Sequence, residues 1–268
     1  MPDFRVSVIM GIYNCAGTLV EALDSLMAQT YQGFKVILCE DGSTDNTYQV
    51  VEKYIKQYPN RFVLVRNERN MGLNYTLNCC LDLADTEYVA RMDGDDISLP
   101  ERFEKEIKFL DEHQEYAIVS CPMIYFDEQG EFGRGKGGYE PTKEAFINGT
   151  PFCHAPCMVK REAYEAVNGY SVDSRLLRHE DYNLWMKMIV KGYKGYMLGE
   201  PLYMMRDDRN ATHRRTLKGR VNGIYAHYLA HKSLRLPWNK FLVFACVNLA
   251  KGLMPQKLYE YFHRKKFN

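Results

Sequence analysis

An α/β fold built on a mostly parallel sheet with helices on both faces is what this sequence predicts, and three observations predict it. Short β-rich apolar runs alternate with helix-period segments through the first half of the chain, and such alternation with short links generates βαβ units. Polar clusters rich in Asp, Asn and Gly follow four of those runs, at the strand ends where open parallel sheets bind ligands. The chain has 268 residues, 46% hydrophobic and 26% charged, long and apolar enough to cover both faces of such a sheet.

The elements follow in order. "RVSVIMGIY" reads as a buried strand. In "TLVEALDSLMAQT", Leu19, Ala22, Leu23, Leu26 and Met27 recur at the spacing of one helix face, and Thr18-x-x-Glu21 is predicted to be its capping box. "KVILC" is the second strand. A second helix starts near Asp45, gathers Val50, Val51, Tyr54, Ile55 and Tyr58 on one side, and stops before Pro59-Asn60. "FVLVR", "NYTLNCCLDLA" and "YVARM" continue as strand, helix and strand. "YAIVSCPMIYFD" predicts a further strand or two, and the glycine-dense, cationic "EQGEFGRGKGGYEP" predicts a mobile loop. Leu184, Trp185, Met188 and Ile189 give a later helix an apolar face that begins just after Glu180-Asp181. The run "WNKFLVFACVNLAKGLMP" is apolar but shorter than the roughly 20 residues of a membrane span. With Trp238, Tyr259, Tyr261, Phe262 and the Arg264-Lys265-Lys266 cluster around it, it predicts a segment lying on a membrane surface, a buried core helix being the alternative.

The chemistry concentrates in "VARMDGDD", where Asp93, Asp95 and Asp96 fall within four residues. Carboxylates this close repel one another unless a cation answers them. A calcium loop of the EF-hand type fails, because Ile97 and Ser98 stand where an oxygen ligand and a glycine are required, and because that loop joins helices while this one follows a strand. What remains is an oxygen site with few protein carboxylates, of the kind Mg²⁺ or Mn²⁺ occupies when substrate phosphates complete the shell. A net charge of +1 and a pI of about 7.6 offer no basic field for nucleic acid. Gly133-x-Gly135-x-x-Gly138 matches a dinucleotide fingerprint only in its letters, since it runs into Pro141 instead of opening a helix. Cys153, His154 and Cys157 have no second paired cluster and are read as structural rather than as a zinc site. The 8 cysteines lack framework spacing and no signal peptide is evident. Reduced thiols in a cytosol are therefore expected, and the sequons at Asn74, Asn148 and Asn210 carry no consequence.

"VSVIMGIYN", "EDGSTDNT", "NMG", "MDGDD" and "HED", in that order over roughly residues 5 to 215, resemble the family 2 glycosyltransferases of the GT-A fold. "DGDDISLP", "GTPFCHAP" and "LYMMRDDRN" resemble the bacterial exopolysaccharide and capsule biosynthesis members. The resemblance implies an inverting enzyme that takes a sugar from a nucleotide-diphosphate donor, a UDP-sugar by preference. A glycan or a polyprenyl-diphosphate-linked acceptor would receive it, with Mn²⁺ or Mg²⁺ as cofactor. It implies a nucleotide-sugar site at Gly11, Tyr13, Asp41, Asn70, Gly72 and Asp93, with Tyr13 against the base and Asp41 accepting from a uracil imide N–H. Asp93 and Asp95 would meet the cation, with Asp96 unassigned. Asp181 matches the family's catalytic base, Glu180 lies near the acceptor, and His179 is the rival base. Arg206, Arg209, His213, Arg214 and Arg215 are candidates to close over the diphosphate or the acceptor, a solvated helix end being the alternative.

The sequence departs from the family where Met10 and Gly11 stand, since many relatives carry proline there, and where Glu40-Asp41 replaces the commoner pair of aspartates. The organisation expected is a GT-A domain over residues 1–216, with a nucleotide-sugar half at 1–115 and an acceptor half at 116–216. A helical, membrane-associating extension would occupy 217–268. The expected location is cytoplasmic and peripheral, on the inner face of the cell membrane. The competing reading is a catalytically weak GT-A protein acting as a binding or regulatory partner at a membrane assembly. A glycoside hydrolase also works with two carboxylates, but it would not need the nucleotide-like first half.

Overall fold

The computed structural model describes residues 4–207 and 216–253. Its first half alternates β1 (Val6–Ile12), α1 (Leu19–Met27), β2 (Phe34–Glu40), α2 (Thr47–Gln57), β3 (Phe62–Arg66), α3 (Leu73–Leu81) and β4 (Tyr88–Arg91). There follow β5 (Ile97–Ser98), α4 (Arg102–Glu112), β6 (Tyr116–Ser120), β7 (Met123–Asp127), β8 (Gly130–Arg134), β9 (Met158–Lys160) and α5 (Arg161–Ala166). The last described elements are α6 (Glu180–Val190), β10 (Lys194–Met197), β11 (Tyr203–Arg206), α7 (Leu217–Ser233) and α8 (Trp238–Leu253).

Seven strands form the central sheet in the order β10-β6-β9-β4-β1-β2-β3. All pairs are parallel except those of β9, which runs antiparallel to β4 and β6. A second sheet, β5-β11-β7-β8, stands beside it. The central strands are apolar throughout because both of their faces are covered. Along β1, Val6, Val8, Met10 and Ile12 enter one core while Ile9 enters the other. Along β2, Val36 and Leu38 face the first core, Ile37 and Cys39 the second. Ala226, Ala230 and Leu234 at α7 join the core that holds Ile9 and Trp185, so α7 packs on the sheet's helical layer.

Two expectations are corrected here. Thr18-x-x-Glu21 does not form a capping box, because Thr18 makes no side-chain cap bond. Its hydroxyl donates instead to the carbonyl of Gly94 at 2.9 Å, while Glu21 pairs with Arg206. The segment expected to be a loop after Asp127 contains β8, which pairs antiparallel with β7. The turn closes there because Asp127 accepts the Gln129 N–H at 2.8 Å and Gly130 adopts φ +106°, a conformation that favours glycine.

Beneath the sheet ends, α4 is fastened by an ion pair with no solvent exposure. Arg102 meets Glu106 at 3.2 Å and donates to the carbonyls of Arg91 at 2.8 Å and Cys157 at 3.3 Å, joining β4 to the segment that leads into β9. Breaking one partner of such a pair strands the other charge without water. Arg102→Met should therefore destabilise the protein by about 3–5 kcal/mol, read as a lowered urea midpoint with unchanged slope. A loss under about 1 kcal/mol would show that the pair contributes no more than a surface bridge.

Candidate functional site

The strand order reverses at β1, whose neighbours are β2 and β4. Loops leaving these strands diverge there and open a crevice, the usual ligand position in open α/β sheets. The first wall comes from the β2 end. Asp41 is buried, and its Oδ1 accepts from Asn67 Nδ2 at 2.7 Å and from the Met71 N–H at 2.8 Å. Its Oδ2 accepts from the Gly72 N–H at 3.0 Å. One carboxylate thereby shapes the whole "NERNMG" loop, and Gly72, at φ +90°, makes the turn that presents its N–H. Glu40, beside it, is buried too and takes Arg66 at 2.9 Å, so this departure from the family pair serves the loop's base.

These bonds frame a cleft of about 380 Å³ lined by Gly11, Tyr13, Asp41, Asn70, Gly72 and, from the other half of the chain, Glu180. Leu177 and Arg178 close its far side. A Cβ on Gly11 would come within 3.0 Å of Leu73 and 3.2 Å of Thr76, so that position keeps the cleft open against α3. Five of the six residues assigned to the nucleotide sugar thus share one cavity, and the sixth, Asp93, belongs to the adjoining loop.

That loop gathers Asp93, Asp95 and Asp96, with one oxygen of each within 4.8 Å of the others. Cationic and neutral donors surround it. Arg91, fully buried in β4, bonds Asp93. The Tyr203 hydroxyl accepts the Asp93 N–H at 3.2 Å. On the neighbouring β11, the Arg206 N–H bonds Asp96 at 2.8 Å and its Nε donates to the Asp95 carbonyl at 3.0 Å, while its guanidinium lies over the Phe126 ring. Desolvation, then repulsion from Asp93 and Asp95, pushes Asp96 up to about 8. Desolvation and Asp93 raise Asp95 as well. An oxygen-only cluster that cannot carry its full charge unaided fits a hard divalent cation.

On the opposite side, α6 begins at Glu180-Asp181, where the helix dipole favours anions. Burial nevertheless raises the Asp181 carboxyl, opposed by the Tyr182 N–H, by His179 and Arg91, and by the Thr150 hydroxyl. Burial and Asp181 raise Glu180. Arg91 therefore acts on both the aspartate loop and the start of α6. Its Nε makes no hydrogen bond.

His179 turns elsewhere: its ring rests on Gly223 of α7, in a separate pocket with Arg220 and Phe244. Arg206 sits on β11, beside the aspartates, rather than at a helix end. His213 and Arg215, with Arg209 and Arg214, lie outside the described residues. Sequence reasoning missed Arg91, Tyr203, Asn67 and Arg178. Of these only Arg91 left a signal, as a charge inside the apolar "YVARM". The "CHAPC" residues are not part of a metal-ligand cluster among the described residues. His154 meets the Tyr170 hydroxyl at 2.7 Å, and burial holds its imidazole well below the usual range.

This architecture, with a nucleotide-sized cleft beside an acidic loop at the β4 end, is the GT-A fold, and the chain is a glycosyltransferase. Residues 7–167 match the profile of glycosyl transferase family 2, and the protein belongs to that family. It is 38% identical to the Bacillus subtilis glycosyltransferase EpsE over 98% of this chain and 94% of that one. It is 28% identical to an Escherichia coli UDP-Gal:α-D-GlcNAc-diphosphoundecaprenol β-1,3-galactosyltransferase, over 97% and 96% of the two chains. Among solved structures, Staphylococcus aureus TarS 1-349 in complex with UDP-GlcNAc superposes with a TM-score of 0.72 at 18% identity, covering 94% of this chain and 76% of that one. The mannosyltransferase PcManGT of Pyrobaculum calidifontis, in complex with GDP-Man and Mn²⁺, gives 0.65 at 21% identity over 97% and 79%.

Protons and a cation compete for the aspartate loop. Mn²⁺ titrated near neutrality should release protons, and its affinity should rise with pH, because burial and the neighbouring aspartates hold a proton on Asp96 above the ordinary carboxylate range. Calorimetry in buffers of different ionisation enthalpy reads the release, and Asp96→Asn should abolish it. Heats that do not vary with the buffer in the native protein would contradict this account.

Proposed function

We propose that this enzyme transfers a sugar, with inversion, from a UDP-sugar to a polyprenyl-diphosphate-linked glycan in bacterial exopolysaccharide or capsule synthesis, with Mn²⁺ or Mg²⁺ as cofactor. The observation that carries the reading is a nucleotide-sized cleft lined by Glu180 from the start of α6, together with a loop of three aspartates. The buried Arg91 acts on both acidic groups. Support for the donor and acceptor classes comes from the names of the relative that uses UDP-Gal and of the TarS complex.

In this reading Tyr13, half-exposed at the rim, lies against the base. Asp41 has one lone pair beyond its three bonds for the imide N–H. Asp93 and Asp95 would hold a divalent cation, which would supply positive charge to neutralise the leaving diphosphate. Asp181 accepts the proton of the acceptor hydroxyl as that oxygen attacks C1 from the face opposite the diphosphate. Its raised carboxyl suits the role, because a stronger base removes a proton more readily. Glu180, lining the cleft, orients the acceptor. His179 is set aside as the base, since its ring packs on α7.

Asp181→Asn preserves shape and removes basicity. It should lower transfer by at least ~10²-fold with UDP affinity nearly unchanged. The native rate should fall on acidification through a pKa above the ordinary aspartate value of about 3.9. Asp95→Ala should erase the gain in UDP affinity that Mn²⁺ gives over EDTA. Near-native turnover of Asp181→Asn alongside a dead His179→Ala would reassign the base, and metal-independent UDP binding by the native protein would remove the cation from the reading.

The location we propose is the inner face of the cell membrane. No helix among the described residues is long and apolar enough to cross a membrane, yet α8 turns Leu242 and Val243 outward, each about 60% exposed. The basic cluster at Arg264-Lys265-Lys266 lies outside the described residues. Leu242→Ser with Val243→Ser should weaken sedimentation with anionic vesicles, and added salt should weaken it further. Equal sedimentation of native and double variant would exclude α8 as the contact.

A further inference from the structure

We infer that α7 and α8 together form one apolar face that lies flat on an anionic lipid bilayer; this rests on the membrane location proposed above and extends the contact from α8 to α7. In α7, Leu217, Val221 and Tyr228 recur at i, i+4 and i+11. In α8, Trp238, Leu242 and Leu249 repeat that spacing, which returns each time to one side of a helix. All six are large apolar side chains between 38% and 60% exposed.

Two contacts set the stripes side by side. At one end the Tyr228 ring lies 5.9 Å from the Trp238 ring. At the other, a Cβ on Gly252 would meet Leu217 at 2.7 Å. The helices therefore run antiparallel with both stripes at their seam, and the six side chains make one surface. A contiguous apolar surface of this kind marks contact with a membrane or with another protein.

Charge decides between the two. Lys218, Lys232, Arg235, Lys240 and Lys251 stand exposed on and between these helices, and residues 216–253 contain no aspartate or glutamate. A second copy of the chain fits poorly, because a two-fold contact presents the same patch on both sides and would set these cations against one another. Anionic headgroups answer them instead. The neighbouring rings of Tyr228 and Trp238 carry polar tips on apolar bodies, which suits the depth of the headgroups. Neither helix is long and apolar enough to cross a membrane, so the contact is interfacial.

The face is also tied to the catalytic domain. Asn222 of α7 donates to the Ser174 carbonyl at 3.3 Å, and Arg175 lies 4.3 Å over the Tyr225 ring. Leu177, in the same segment, lines the nucleotide cleft. A bilayer on this face would thus hold the domain in one orientation.

The test titrates the full chain with vesicles of phosphatidylglycerol whose acyl chains are brominated. Of the two tryptophans, Trp185 is fully buried, so quenching reports Trp238. Emission should be quenched by phosphatidylglycerol far more than by phosphatidylcholine, and salt should weaken the effect. Leu217→Ser with Val221→Ser should lower vesicle affinity by about tenfold, with a native thermal midpoint and unchanged UDP binding in the absence of lipid. Native protein that sediments with the vesicles while Trp238 stays unquenched would overturn this face and leave the location standing. Quenching with unaltered affinity in the double variant would overturn the share of α7 and confine the contact to α8. Native protein that does not sediment with anionic vesicles would overturn both the face and the location. Self-association in place of vesicle binding would make the face a contact between copies and overturn the lipid assignment.

Discussion

Mutual repulsion among Asp93, Asp95 and Asp96 is the constraint around which the rest of the site is arranged. Three carboxylate oxygens within 4.8 Å of one another are tolerated only where opposite charge and donors flank them. The fold supplies Arg91 from β4, Arg206 from β11, and the Tyr203 hydroxyl, which bonds the Asp96 carboxyl. They come from two strands, β4 and β11. The loop is therefore a junction at which β4, β11 and, through Thr18 and Glu21, α1 are fastened together.

The same constraint links the two halves of the enzyme. Arg91 is buried, bonds Asp93, and lowers the carboxyl groups of Glu180 and Asp181 against the desolvation that raises them. Arg91 in turn is held by α4, since Arg102 donates to its carbonyl. A charge at the cation loop and a charge at the start of α6 are thus balanced through one guanidinium. In the proposed mechanism this balance matters, because the leaving diphosphate and the attacking hydroxyl change charge together.

Much of the first half of the chain was legible because its signals are local. Strand β1 alternates its side chains between two cores, so it reads as an unbroken apolar run, and the polar segment after each strand reports the sheet end at which it lies. The local rule failed at Thr18 and Glu21, where the spacing of a capping box met tertiary partners, Gly94 and Arg206, that engaged both side chains. It failed again after Asp127, where glycine density suggested a loop, and pairing with β7 made a strand of it.

Sequence alone determined the alternation of strands and helices through the first half, the family, and the aspartates, asparagine and glycines that its motifs mark, since periodicity and short motifs need no knowledge of distant residues. Only the tertiary structure decided what those residues touch. Asp41 is marked as a nucleotide contact by its motif, yet its carboxylate also holds the loop of Met71 and Gly72 in place. His179 and Asp181 are two residues apart in sequence, but one rests on Gly223 of α7 while the other is partly buried, under the influence of Thr150 and Arg91. Such differences arise because burial and charge depend on neighbours more than a hundred residues away in the chain, as with Arg206 and Asp96, and no local pattern encodes that distance.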